Sequence, residues 1–420
     1  MPDTWQKAYQ ELKVYVAQHP SIEITPNCIS IPGDLRPRFY RLFGKVRQNF
    51  VRDKFVDQLE DSYTLSKNYR EINRSLAESL GLETVNIRTD VKWFLLDPLD
   101  GLMRVLFDRL FELLNGKIDL NTFERTSSIN VETAFANFFE YGYRHWVELS
   151  LMKLLVPSKN YRVPIQSEHL HGGLADSTLD RGRCTVNVPD AEETKIIAFE
   201  QEGQRLSFVL PRVLMYSSRL GLYVSINSDF YWPYFNARFV SGNVEWLELP
   251  KIKVYTNEPS NFWPDLLFYT ARELTDLVMV ADHSRVMRPD IVFEVMEQKN
   301  WYENGGLELV KRYQHIFKPR LGTYVICRLD VPEAAYESLK PKDMPMCQSP
   351  INEKPEYTAT TEKALPAADD IKRGVTPAEV LESPGEELSD IHLIAIGQDI
   401  ARLEPVLETL MKSLSKPVES

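Results

Sequence analysis

The sequence predicts an α+β fold: a helical N-terminal region, a central β-rich region, a mixed α/β core, then a flexible tether and a C-terminal helix. Three observations carry this expectation. Apolar residues recur at helical spacing up to about residue 157. After Pro157 that period gives way to short β-rich runs punctuated by Gly, Asn, Ser and Pro. Residues 332–388 are rich in Pro, Glu, Ala, Lys and Thr and poor in large apolar side chains, the composition of a tether. A chain of 420 residues with 43% hydrophobic content has material for two or three domains. The boundaries fall at 1–157, 158–260, 261–331 (with 131–155 as a candidate addition), 332–388 and 389–414.

Thr4 to Gln18 is a short amphipathic stretch that stops before Pro20, and Ser21 to Ile31 alternates as a hairpin or extended pair would. A long helix begins near Pro37, with Phe39, Leu42, Phe43, Val46 and Phe50 forming one apolar stripe. Further helices are predicted from Tyr69 to Leu80, Asp100 to Leu114 and Val131 to Leu155. Strand-like runs follow at Lys195–Phe199, Arg205–Leu210, Gly221–Ile226, Ala237–Val240, Val244–Leu249 and Lys251–Tyr255. Trp263 to Glu273 reads as a helix or a long strand, and Asp276–Ala281 and Ile291–Met296 as strands. A helix from Gly306 to Phe317 and a strand from Thr323 to Leu329 complete the core. Ile396, Ile400, Leu403, Leu407, Leu410 and Leu414 keep the four–three spacing of a heptad seam, broken by Pro405 into two short helices or a kinked one. Such a stripe beyond a tether wants a covering surface on its own body, on a sister chain or on another protein.

A net charge of −11 excludes a protein that coats nucleic acid over its whole surface, yet permits a local basic patch. The helix around residues 36–54 is the candidate: Arg38, Arg41, Lys45 and Arg52 gather on one side of its wheel. The same row also reads as a solvated face paired with the acidic body. Four scattered cysteines read as reduced thiols, no basic leader opens the chain, and no apolar run is long enough to span a bilayer, so a cytoplasmic, membrane-free protein is expected. His169 and His171 read as a polar loop rather than a metal site, and the aromatic run Phe230 to Phe235 reads as a packed corner.

Chemistry concentrates in one acidic region. Thr275–Val280 and Arg288–Met296 are apolar runs carrying Asp276, Asp290 and Glu294; Leu307–Tyr313 and Gly322–Ile326 follow as helix and strand. This segment resembles the PD-(D/E)xK nuclease superfamily over roughly residues 262–330. There, an acid on one strand and an acid-x-Lys triplet on the next hold one or two divalent cations beside a phosphodiester. The resemblance implies a nuclease-like core using Mg²⁺ or Mn²⁺ and acting on DNA, active or catalytically degenerate, of the kind found in defence and mobile-element systems. It makes Val131–Leu155 the preceding helix, with Glu132 or Glu140 as its acid.

Strand geometry selects among the acids. Asp290 and Glu294 on one strand stand roughly 13 Å apart, too far to share a cation. A three-residue turn at Ser284-Arg285-Val286 would set Asp276 opposite Glu294, at roughly 5 Å between Cβ atoms. Asp276 and Glu294 are therefore the expected metal ligands. Met296 stands at the lysine position. Lys299 of Glu297-Gln298-Lys299 is the catalytic candidate if a bulge returns it to the site, because strict alternation sends Glu297 and Lys299 to the other face; Gln298 and Lys311 are the substitutes. The competing expectation is a non-enzymatic assembly subunit that docks a partner, or a second copy, through residues 389–414.

Overall fold

The apolar stripes become helices, but those expected from Tyr69 and Val131 begin 13 and 11 residues earlier, at Val56 and Leu120, and the one expected over Asp100–Leu114 divides into two. The computed structural model describes residues 4–25, 28–162, 184–185, 191–199, 213–228, 237–238, 246–248, 264–277, 281–282, 285–340 and 390–414. Helix α1 (Trp5–Gln18) is N-capped by Thr4, whose side chain accepts from the Lys7 N–H. Glu23–Ile24 and Ile29–Ser30 then pair antiparallel. Next come α2 (Arg36–Lys54), with Pro37 in its first turn, and α3 (Val56–Leu80), closed by Gly81 in the left-handed conformation. The shorter α4 (Thr89–Leu96), α5 (Pro98–Arg104) and α6 (Phe107–Leu114) lead to α7 (Leu120–Leu154). Phe39, Phe43, Val46 and Phe50 are all fully buried. From Gly142 to Met152, α7 is buried on every side, as a helix held between other helices and a sheet must be.

One eight-stranded mixed sheet follows. Its strands are β1 (Pro157–Arg162), β2 (Glu192–Glu193), β3 (Val213–Ser217), β4 (Leu222–Ser228), β5 (Leu266–Ala271), β6 (Ile291–Met296), β7 (Thr323–Cys327) and β8 (Ile391–Ala395), in the spatial order β8-β7-β6-β5-β4-β3-β1-β2. The pairs from β1 to β6 are antiparallel, whereas β6, β7 and β8 run parallel. Helix α8 (Gly306–Phe317) makes the β6–β7 crossover that parallel pairing needs. Alternation along β5 and β6 sends Phe268, Ile291 and Phe293 into the core shared with α7. Leu267 and Val292 point the other way, against Tyr313 and Phe317 of α8.

Three expectations change here. The sheet crosses the boundary drawn at residue 260, since β1, β3 and β4 precede it and β5 to β7 follow it in the same ladder. Ordered structure continues past 331 through a short helix, Glu333–Glu337, that buries Ala335. The C-terminal segment is not helical throughout: it enters as β8, passes through a 3₁₀ turn at Ile400–Leu403, and ends in α9 (Glu404–Leu414) with Pro405 in the first turn. Its apolar seam is covered by its own chain, with Ile396, Leu403, Leu407 and Leu410 joining the main core. Gly322 (φ 94°) opens β7 where a Cβ would overlap the Asp390 carbonyl, so only glycine permits β8 to approach. The runs at 205–210 and 251–255, His169, His171, the aromatic cluster at 230–235 and most of the tether lie outside the described residues.

Candidate functional site

The β5–β6 register, Leu266 opposite Phe293, places Asp265 opposite Glu294 when continued by one residue. Pro264, with no N–H to give a ladder, sits just before that strand. Two cross-strand hydrogen bonds lock the pair. The Asp265 N–H donates to Glu294 Oε2 at 3.1 Å, and the Val295 N–H donates to Asp265 Oδ2 at 2.8 Å. From α7, Arg144 reaches the other Asp265 oxygen, Oδ1, at 2.8 Å, while its guanidinium lies 4.7 Å from the Tyr141 ring centroid. Glu140 lies one helical turn before Arg144, on the same face of α7.

The acid that faces Glu294 is thus Asp265, not Asp276. Asp276 lies in a 3₁₀ turn, Leu274–Leu277, beyond the far end of β5. Asp265 and Ala271 bracket that strand, so six extended residues, roughly 20 Å, separate its two ends. The expected turn at 284–286 is displaced as well. Ala281–Asp282 pairs with Arg285–Met287, and this ribbon joins Trp246–Glu248 in a separate small sheet.

Lys299 is exposed in the turn after β6, and Gln298 is exposed beside it. Lys311 is engaged by Glu308 on α8 at 2.8 Å. Glu132 is exposed on α7, leaving Glu140 as the helix acid whose charge acts on Glu294. Asp290 has a framework role: it accepts from the Thr270 N–H and hydroxyl and from Arg320, tying β5 to the β6–β7 crossover. Cys327, buried in β7, has its thiol pushed up to about 12 by burial, which leaves it inert.

The electrostatics follow from crowding carboxylates at low exposure. Glu294 is 8% exposed. Burial first, then the Asp265 charge, push its carboxyl well above the usual range; the Asp265 N–H and Arg144 oppose this, and Glu140 adds to it. Strand β6 ends at Met296, so alternation no longer governs Glu297. That residue is half-buried and, through burial and then the Glu140 and Asp265 charges, is raised to about 7. Contrary to expectation, Glu297 therefore belongs electrostatically to the cluster around Glu294. Burial and the charges of Glu294 and Asp265 also raise the Tyr313 hydroxyl on α8.

A pH dependence follows. Glu297 binds its proton more tightly in the folded chain than in the unfolded one, whose carboxyl titrates near 4.5. The folded state thus holds more protons between pH 4.5 and 7, and stability falls as pH rises through that window. Glu297→Gln is expected to stabilise the protein at pH 8 by about 1–2 kcal/mol, discounted for partial exposure, and to change nothing at pH 4. Urea unfolding at the two pH values checks this; an equal gain at both would refute it.

The donor set does not suit Mg²⁺ as arranged. Mg²⁺ asks for oxygens at about 2.0–2.1 Å in an octahedron, but both Asp265 oxygens are engaged and a guanidinium lies against one of them. Among the described residues, no three His, Cys, Asp or Glu side chains converge as a metal site would require. No helix among them is long and apolar enough to cross a membrane.

The row Arg38, Arg41, Lys45 and Arg52 does lie along one side of α2. Arg41 and Arg52 are exposed, Arg38 lies 5.7 Å from the Tyr15 ring centroid, and Lys45 pairs with Glu11 of α1 at 3.0 Å. Comparison with known proteins finds no family model, no curated protein and no solved structure that matches the chain.

Proposed function

We propose that the chain is a PD-(D/E)xK-like protein that binds DNA in the cytoplasm and has lost the capacity to cut it. One observation carries this reading: Asp265 faces Glu294 across β5 and β6 in the strand-pair geometry of that family, while Met296 holds the lysine position and Arg144 occupies the acid. The element order supports it, with α7 on one face of the antiparallel strands β4 to β6 and α8 on the other, leading to the parallel β7. No step through a metal ion is assigned, because the donor set does not fit one.

DNA is met by the exposed arginines of α2. Arg38 and Arg52 are 14 residues apart, a span of about 21 Å along a helix, enough to follow several phosphates. Fluorescence anisotropy on duplex DNA is expected to show binding that weakens with salt. Replacing Arg38, Arg41 and Arg52 by Ala should lower the slope of log K against log salt by about 3. Plasmid incubated with Mg²⁺ or Mn²⁺ should stay uncut. Cleavage abolished by Asp265→Ala would overturn the loss of activity, and absence of DNA binding at low salt would overturn the DNA role. The competing docking role loses part of its motive, since Ile396, Leu403, Leu407 and Leu410 are covered by the chain itself.

A further inference from the structure

We propose that Arg144 is the built-in cation of this site, standing where a divalent ion would sit, so that arginine and metal exclude one another at Asp265. This rests on the nuclease-like reading for the place of the ion. Its grounds are geometric. Asp265 divides its two oxygens between the Val295 N–H and Arg144, each at 2.8 Å. The guanidinium is pinned on its other side by the Tyr141 ring, and its side chain is only 10% exposed.

A guanidinium keeps its charge at every working pH and holds a carboxylate with directed N–H donors, so the pair does not dissolve by deprotonation. A divalent ion needs the same Oδ1 lone pairs at closer range, and two cations beside one partly buried carboxylate repel. Four carboxylates, Glu140, Asp265, Glu294 and Glu297, interact here. The helix supplies the compensating charge that a bound ion would otherwise supply. Arg144 can do so because it is four residues from Glu140 and thus on the face of α7 that meets the β5–β6 end.

Calorimetric titration with Mn²⁺ tests the exclusion on the full chain, using wild type, Asp265→Asn, Arg144→Lys, Arg144→Gln and the Arg144→Gln/Asp265→Asn double variant. Wild type and Arg144→Lys, which retains a cation, are expected to show no binding that depends on Asp265. Arg144→Gln should gain at least tenfold in Mn²⁺ affinity and lose that gain in the double variant. An unchanged affinity in Arg144→Gln overturns the proposal. So does wild-type binding that Asp265→Asn weakens tenfold, a comparison that decides the matter even if Arg144→Gln does not fold. Anisotropy on duplex DNA with the same wild-type preparation is a separate readout: failure to bind DNA refutes the proposed function and leaves the metal result to stand by itself.

Discussion

A chain stopped after residue 389 should fail to fold into a stable, soluble protein. The segment it would lack contributes Ile396, Leu403, Val406, Leu407 and Leu410 to the main core, all at most 1% exposed. Burying one such side chain is worth about 1.5–3 kcal/mol, so five amount to roughly 8–15 kcal/mol as an upper bound. That range matches the total stability of an ordinary domain, about 5–15 kcal/mol. Polar anchoring would go as well: Arg219 holds Glu404 through both carboxylate oxygens, Asn68 donates to Gln398, and Tyr143 donates to the Gly397 carbonyl. Truncation would also turn β7 into an edge strand exposing Tyr324, Val325 and Ile326, a template for aggregation. Expression of the truncated chain, with circular dichroism and thermal unfolding of any soluble material, checks this. A cooperative transition within a few degrees of the full chain would show that the segment is an accessory.

That result would also measure what the sequence could reveal. The seam Ile396 to Leu410 was legible as a buried face, because heptad-like spacing reports burial whatever surface does the burying. Its strand was not. Ile391-His392-Leu393-Ile394-Ala395 has only five residues, and its identity as a strand depends on pairing with Thr323–Cys327 across more than sixty residues of chain. Local helices show the opposite case. Gly306–Phe317 was predicted and found with the same ends, since a 3.6-residue period needs no distant partner.

The candidate site divides along the same line. Glu294 was readable as an acid inside an apolar strand, and Glu140 as an acid on the preceding helix. Asp265 was missed because the hairpin was drawn from the nearest apolar run, so the partner acid was sought at Asp276. A local signal did exist: Pro264-Asp265 directly precedes the apolar Leu266–Tyr269, where a residue without an N–H fits a strand start. Arg144 carried none, because 121 positions separate it from the carboxylate it holds.

Removing the charge of Arg144 while leaving that of Asp265 should be the most damaging single change at the site. Arg144→Met would keep the stem's packing but leave Asp265, whose side chain is 18% exposed, beside the buried Glu294 with no guanidinium. The expected loss is about 3 kcal/mol, the scale for breaking a buried pair by deleting one partner. Asp265→Asn should cost less, because the amide oxygen can still accept the Val295 N–H and the remaining guanidinium is braced by Tyr141. In the double variant no lone carboxylate remains at position 265, so adding Arg144→Met to Asp265→Asn should cost only about 1 kcal/mol. Urea unfolding of the four proteins closes the cycle, with an expected coupling of roughly 2 kcal/mol between the two positions. Additivity within about 0.5 kcal/mol would mean that solvent, not Asp265, is the effective partner of the guanidinium. The 2.8 Å contact would then be an ordinary surface ion pair, and Arg144 would no longer serve as the built-in cation at Asp265.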